Sequence, residues 1–357
     1  MISPVHLAEY RWLPDAVIRM GMRRLMRERL AAERQSSLAA RQERYRQFVD
    51  RLRQSEITLH ARQANEQHYE VPPEFFTKVL GTHLKYSCGL WQRDSDTLDD
   101  AEVRMLHTTC ERAGIRDGMS VLDLGCGWGS LSLWIAHRFP NCLVHAMSNS
   151  RTQKAYIEAQ CRQRGLENLS VETADIATFQ TSQRYDRVMS VEMFEHVRNY
   201  GELLAKIATW LHLDGQLFVH IFCHRHLAYA FEVEGPKNWM GRHFFTGGIM
   251  PSERLLAEFD HDLRIHQQWW INGVHYAKTC EAWLKNLDAG GTEIDRVLAS
   301  SGNPSPVAIQ RQRWRMFLMA CAELFATGKG EEWGVSHYTL RPRRQSAACN
   351  AIHTSSR

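Results

Sequence analysis

No stretch of this chain approaches the ~20 consecutive apolar residues that a membrane span needs, so a transmembrane reading finds no support. Its nine cysteines are odd in number and scattered, with no CxxC pair. Disulfide frameworks and zinc clusters need close, paired thiols, so neither is expected, nor is any other metal site. A strong excess of one charge is missing as well: 44 Lys and Arg stand against 40 Asp and Glu, a formal net charge of +4. That balance gives a nucleic-acid-binding reading little help. The opening residues, MISPVHLAEYRW, lack a basic segment leading into an apolar one, so no secretory signal is expected. These absences leave a soluble, cytoplasmic protein with reduced thiols as the expectation.

What is present supports a real core: the 357 residues are 44% apolar and include eleven Trp. Residues 16–62 form an Arg-rich segment with twelve Arg, no Lys and five acidic residues. Ile18, Met22, Leu25, Tyr45, Phe48, Val49 and Leu52 recur there at roughly helical spacing, after a start signal at Pro14-Asp15. Two readings stand: helices packed on the main domain, or helices that dock on an anionic surface such as a lipid headgroup layer.

From Thr97 the pattern becomes helix alternating with short apolar strand. A helix at 98–114 leads into SVLDLGCGWG; then come helix LSLWIAHRF, strand CLVHAM, helix RTQKAYIEAQCRQRG and strand LSVETAD. Strand RYDRVMSV, helix HVRNYGELLAKIATWL and strand GQLFVHIF complete the series. Buried strands alternating with amphipathic helices predict an α/β fold with a parallel sheet covered on both faces. Beyond His224 the alternation stops, and WMGRHFFTGG reads as part of an inserted lid. RIHQQWWING reads as a strand, HYAKTCEAWLKNL and 306–327 as helices, and WGVSHYTLRP as a last strand. The organisation expected is an N-terminal helical extension over 1–62 and a main domain over 63–341. That domain carries a lid at about 225–255 and helices at about 273–328, and a disordered tail follows over 342–357.

Gly125, Gly127 and Gly129 follow the first strand and precede a helix, where bare backbone can turn sharply and approach a ligand. The spacing is GxGxG, not the GxGxxG of a pyrophosphate-binding dinucleotide site. It suits S-adenosylmethionine (SAM), whose amino-acid end needs room but brings no phosphate. The second strand ends HAMSNSRTQ, without the carboxylate that usually holds ribose hydroxyls. Asn149 and Gln153 can supply donors and acceptors instead. Asp175, after the third strand, is placed to accept from the adenine amino group, or to cap a helix, or both.

The segments EQHYEVPPEFFTKVLGTHLKYSCGLW, VLDLGCGWGS and VEMFEHVRNY occur in the order found in one family. GELLAKIATWL, FVHIFCH, HFFTGGIMPS, NGVHYAKTCEAWL and GEEWGVSHYTL extend the match over about 63–340. Together they resemble the cyclopropane-fatty-acyl-phospholipid synthase family of SAM-dependent methyltransferases, most nearly its coclaurine N-methyltransferase-like branch. The resemblance implies a class I methyltransferase fold: Rossmann-like, with a mostly parallel seven-stranded sheet. It also implies that Tyr86 and Ser87 close over the methionine end of SAM and that Gly125 and Gly127 line the turn. Asn149 and Gln153 would then lie at the ribose, Asp175 and Ile176 at the adenine, and Val191 beside the methyl group.

Glu192, Glu195 and His196 stand at the carboxyl end of the fourth strand, the edge where open parallel sheets bind ligands. An amine acceptor must lose a proton before it can attack a methyl sulfonium. His196 is a candidate base, and Glu195 or Glu192 can hold the ammonium. Without that position, Glu-x-x-Glu-His would read as ordinary helix-start chemistry. Glu70 is a further candidate carboxylate. The resemblance also matches Cys88, Glu195, His220 and Tyr276 to a bicarbonate site used in lipid cyclopropanation. Each has a plainer reading: Cys88 as a small buried residue and His220 as a core histidine. Phe244, Phe245, Trp239, Trp269 and Trp270 are candidates for an aromatic wall around a cation, or for core.

The activity expected is N-methylation of a small cyclic or aromatic amine. The alternatives are methyl or methylene transfer to unsaturated phospholipid acyl chains, with bicarbonate, and a methyltransferase fold kept only as a binding scaffold. A homodimer and peripheral membrane contact through the Arg-rich helices are further partners to test.

Overall fold

The computed structural model describes residues 3–34, 37–59, 71–235 and 238–343. Glu70 and residues 344–357 of the expected tail lie outside the described residues. Strands β1 (Ser120–Leu124), β2 (Leu143–Ser148), β3 (Leu169–Thr173), β4 (Tyr185–Val191) and β5 (Leu211–His224) are parallel. A short ribbon, β6 (Tyr229–Ala230) with β7 (Ile249–Met250), follows in the lid region, and β8 (Leu263–Ile271) and β9 (Trp333–Pro342) close the main sheet antiparallel. The seven-stranded order is β3-β2-β1-β4-β5-β9-β8, so the winding reverses between β1 and β4. Ligands of doubly wound sheets lie in the crevice that such a reversal opens at the carboxyl ends of the strands.

The helices are α1 (Pro4–Glu9), α2 (Asp15–Arg34), α3 (Leu38–Arg53), α4 (Pro73–Val79), α5 (Leu98–Ala113) and α6 (Ser130–Arg138). After them come α7 (Arg151–Arg164), α8 (Tyr200–Trp210), α9 (Trp239–His243), α10 (Val274–Ala289), α11 (Gly291–Ala299) and α12 (Val307–Ala326). Helix α5 shows why the local sequence suffices: a Thr97/Asp100 capping box opens it and left-handed Gly114 ends it.

The N-terminal helices pack on the main domain. Ile18, Phe48, Val49 and Leu52 are buried, whereas Leu25, at matching spacing, is exposed. Arg19 pairs with Glu281 and Glu323, Arg23 with Glu323, and Arg315 of α12 with Asp15 and Asp288. No helix among the described residues is long and apolar enough to cross a membrane.

Candidate active site

Three clefts meet at one side chain, Glu192, which lines all of them. The first lies over the ends of β1, β2 and β3. There the glycine turn hangs on β2 through Gly125 and Cys126 N–H groups that donate to the Met147 carbonyl. Gly125 and Gly127 both have positive φ. A Cβ on Gly125 would come within 2.8 Å of Met193, whereas one on Gly127 would meet nothing within 4 Å and would project into open cleft. Beneath the turn Asp123 accepts from Ser132, and burial raises its carboxyl to about 6.

After β2, Ser148 donates to Gln153 Oε1 at 2.6 Å, which fixes the amide on its buried side. Gln153 Nε2 is left buried without a partner among the described residues, beside this cleft. Asn149, Asp175, Ile176 and His196 line the same cleft. Asp175 Oδ1 also accepts from Ala177 N–H, so it does cap its turn. Thr58 and Leu59, from the segment after α3, and Thr246 and Gly247, between α9 and β7, line it as well.

The next cleft runs under the turn and is lined by Tyr86, Ser87, Asp123, Gly125, Gly127 and Val191, with Lys85 among them. Lys85 is buried; its ammonium donates to Ser87 Oγ and, at 2.9 Å, to the Cys88 carbonyl. Burial lowers its pKa. Nothing in the spacing of KYSC marks this lysine, although a cation between apolar neighbours is a signal worth weighing.

The remaining cavity is walled by Tyr86, Phe222, Phe231, Phe245, Tyr276, Trp283, Phe317 and Phe325. Its polar groups include Glu192, Glu195 and His196. Of the expected aromatic wall only Phe245 faces it. His196 stacks on Phe245 and Phe245 on Phe231, at 11° and 25° between ring planes. Phe244 is a correction: it stacks on Phe317 at 4.3 Å on the core side, because adjacent residues at the end of the short α9 point different ways. Trp239 is core as well, bonded to Glu9, while Trp269 and Trp270 lie under Arg112 and Arg225 on edge strand β8.

The segment after β4 does not continue straight into helix. Glu192 adopts φ +48°, a left-handed conformation that is strained for a non-glycine residue, and Phe194–His196 form one 3-10 turn before α8 begins at Tyr200. The strain is held from several sides. Glu192 N–H donates to the His220 carbonyl at 2.8 Å. Its carboxylate accepts from His220 Nε2 at 3.1 Å, from Cys88 N–H at 3.3 Å and from the Tyr276 hydroxyl.

Three of the four positions matched to a bicarbonate site, Cys88, His220 and Tyr276, thus donate to Glu192. The left-handed turn swings Glu192 into that set, so the donors matched to a bicarbonate site are engaged by the protein's own carboxylate. Glu195, one turn on, is buried with Oε2 unpartnered among the described residues. Burial, together with the neighbouring Glu192, raises Glu195 well above the usual carboxylate range; burial alone raises Glu192 to about 7 against its donors. Cys88 itself contributes backbone only, its thiol turned to the Gly89 carbonyl.

The reversed sheet, the glycine turn and the unpartnered amide over β2 fit a nucleoside with ribose hydroxyls, and together they define a class I SAM-dependent methyltransferase. Residues 57–333 match the model of the mycolic acid cyclopropane synthetase family. (S)-Coclaurine N-methyltransferase of Thalictrum flavum subsp. glaucum is 40% identical over 82% of this chain and 82% of its own length. The cyclopropane-fatty-acyl-phospholipid synthase of Escherichia coli K12 is 28% identical over 76% and 66%. The crystal structure of a coclaurine N-methyltransferase bound to N-methylheliamine and SAH superposes with a TM-score of 0.90 at 37% identity, covering 94% of this chain and 97% of the other. The chain belongs to the mycolic acid cyclopropane synthetase family.

Proposed function

We propose that the protein transfers a methyl group from SAM to the nitrogen of a small amine that carries or adjoins an aromatic ring. One observation carries this reading: two buried carboxylates and a histidine face an aromatic cavity at the point where it meets the nucleoside cleft. The resemblance to coclaurine N-methyltransferases supports it. Bound SAM supplies a methyl group on a positively charged sulfur. Gln153, Asn149 and Asp175 would hold its nucleoside, and Tyr86 and Ser87 its amino-acid end. On the acceptor side, aromatic faces attract an ammonium and exclude water.

Proton removal follows from burial. Burial favours the neutral form of Glu195, so an ammonium that enters beside the ionised carboxylate forms a pair of penalised charges, and passing one proton to the carboxylate neutralises both. The free amine then points its lone pair toward the shared opening, and His196, which borders both clefts, can take the proton outward. Positioning of the two reactants can supply about 7–11 kcal/mol of the barrier. Glu192 is drawn toward its anionic form between the clefts by its donors, against the burial that raises it to about 7.

Lipid cyclopropanation is disfavoured because Cys88, His220 and Tyr276 already bond to Glu192. The test uses methyl-labelled SAM with a panel of cyclic and aromatic amines in one tube, and vesicles of unsaturated phospholipid with bicarbonate in the other. Label is expected in the amines; label in the lipid phase would overturn the reading.

A further inference from the structure

Behind Glu192 a line of polar side chains runs through the sheet to α5. His220 on β5 and His337 on β9 are directly opposed in the antiparallel register. Both rings are fully buried, and His337 Nε2 lies 2.8 Å from His220 Nδ1. At the outer end Arg112 Nη1 lies 2.9 Å from His337 Nδ1. The guanidinium rests on the Trp269 face, 5.0 Å from its centre, and among the described residues it has no ion-paired carboxylate.

The donors and acceptors of this line can be assigned without ambiguity. A guanidinium only donates, so His337 Nδ1 accepts and its one proton sits on Nε2. That proton is donated to His220 Nδ1, which places the His220 proton on Nε2, aimed at Glu192 Oε1. Every bond therefore points toward Glu192, and the chain begins at a permanent positive charge. Burial holds both imidazoles neutral, with the Lys85 and Arg112 charges adding to the effect. The other titratable groups facing Glu192 are Lys85, Glu195 and the Tyr276 phenol, with the Cys88 thiol nearby.

We propose that Arg112 and His337 are positioning residues of the methyltransferase. By fixing His220 as the Nε2–H tautomer, they keep Glu192 a hydrogen-bond acceptor and so favour its ionised form. Without Arg112, His337 is free to carry its proton on Nδ1. His220 can then present a bare Nε2 to Glu192, which only a protonated carboxyl would satisfy. The kinetic part of this proposal rests on the methyl-transfer reading; the tautomer part does not.

The test combines two readouts. In the free protein, nitrogen-15 NMR of labelled histidine, with signals assigned by substitution, should show His220 and His337 neutral with the proton on Nε2 from pH 6 to 8. With an amine acceptor, His337→Phe and Arg112→Met should move the acidic limb of kcat/KM upward. Activity at pH 7 should fall about tenfold, the scale seen when a partner that orients a functional histidine is lost. SAM affinity should hold. His337→Gln and Arg112→Lys, which retain the needed donor and acceptor, should return the limb toward wild type. Rings found with the proton on Nδ1, or folded variants with an unmoved limb, would overturn the proposal. If His337→Phe does not fold, Arg112→Met at the half-buried end and the ring tautomers decide. The tautomer readout uses no acceptor, so failure of the amine reading leaves it intact.

Discussion

The cleft over β1 to β3 and the cavity beyond Glu192 share a wall but are built of different materials. The cleft is made of backbone and short polar groups: Gly125 and Gly127, the Ser148–Gln153 pair, Asn149 and the capping Asp175. Each sits within a few residues of a strand end, so its place follows from the sheet. The cavity is made of large side chains from distant elements: Tyr86 before α5, Phe222 on β5, Phe245 after α9, Trp283 on α10 and Phe317 on α12. A backbone cradle recognises what all its ligands share. An aromatic enclosure can be reshaped one side chain at a time, so on the proposed reading cofactor recognition belongs to the first region and acceptor choice to the second.

Glu192 is where the division should break. Glu192→Gln keeps the shape but sets an amide donor against the His220, Cys88 and Tyr276 donors. Turnover should fall on the order of 10³-fold, the upper range for a group assisting proton chemistry. Effects on both ligands, in separate equilibrium measurements with SAM and acceptor, would mark it as the common wall. A fall confined to one ligand would assign it to that side. Next in size, Glu195→Ala and His196→Ala should each lower kcat by about 10²-fold. For Glu195→Ala, which lies outside the nucleoside cleft, SAM affinity should be nearly unchanged. The complementary loss is Gln153→Leu: SAM Kd should rise about tenfold, as one lost hydrogen bond implies, with kcat at saturating SAM intact.

These contrasts also explain what could be read without coordinates. The strand–glycine–helix unit, the β4 end and the Asp175 turn were legible because each depends on residues adjacent in sequence. The Glu192–His196 segment was legible in position but not in form. A helical start is the local preference, and only the His220 carbonyl and three donors from remote elements make a left-handed Glu192 worthwhile. For the same reason the contact of Glu192 with Cys88, His220 and Tyr276 could not be read from the sequence. Phe244 and Phe245 carry no sequence feature that separates core from cavity. The Arg112–His337–His220 line depends on strand register across 117 residues of chain. Helix α11 begins at the second residue of Gly290-Gly291, a pair that reads as a break.

A smaller effect should appear in stability. Glu102, accepting from Gly81 and His83 N–H groups, and Glu192 are both raised by burial to about 7. The folded protein therefore keeps protons that the unfolded chain has already lost. By linkage, stability is lost as pH rises through 7. Buried neutral His220 and His337 act with the opposite sign, but only below their unfolded pKa near 6.5. Between pH 6.5 and 8 the melting temperature should drop by roughly 2–4 °C while activity rises. Subtracting the Glu192→Gln profile separates Glu192 from Glu102 and Lys85; an unchanged slope would mean that Glu192 is ionised throughout.

The smallest expected effect is the most pointed. Cys88 touches Glu192 through its backbone N–H, and its thiol donates to its neighbour's carbonyl. Cys88→Ala keeps the N–H and removes only a buried sulfur, so the cost should be a modest packing loss of about 1 kcal/mol in unfolding free energy. Amine turnover should stay close to wild type, with or without bicarbonate, because no thiol contact reaches the carboxylate. A bicarbonate-dependent enzyme would respond differently: the thiol would border a small anion, and its loss would depress activity in a way that added bicarbonate partly repairs. Measuring Cys88→Ala at two bicarbonate concentrations therefore asks whether Glu192 has taken the anion's place for good, or only while no anion is there to compete for the same three donors.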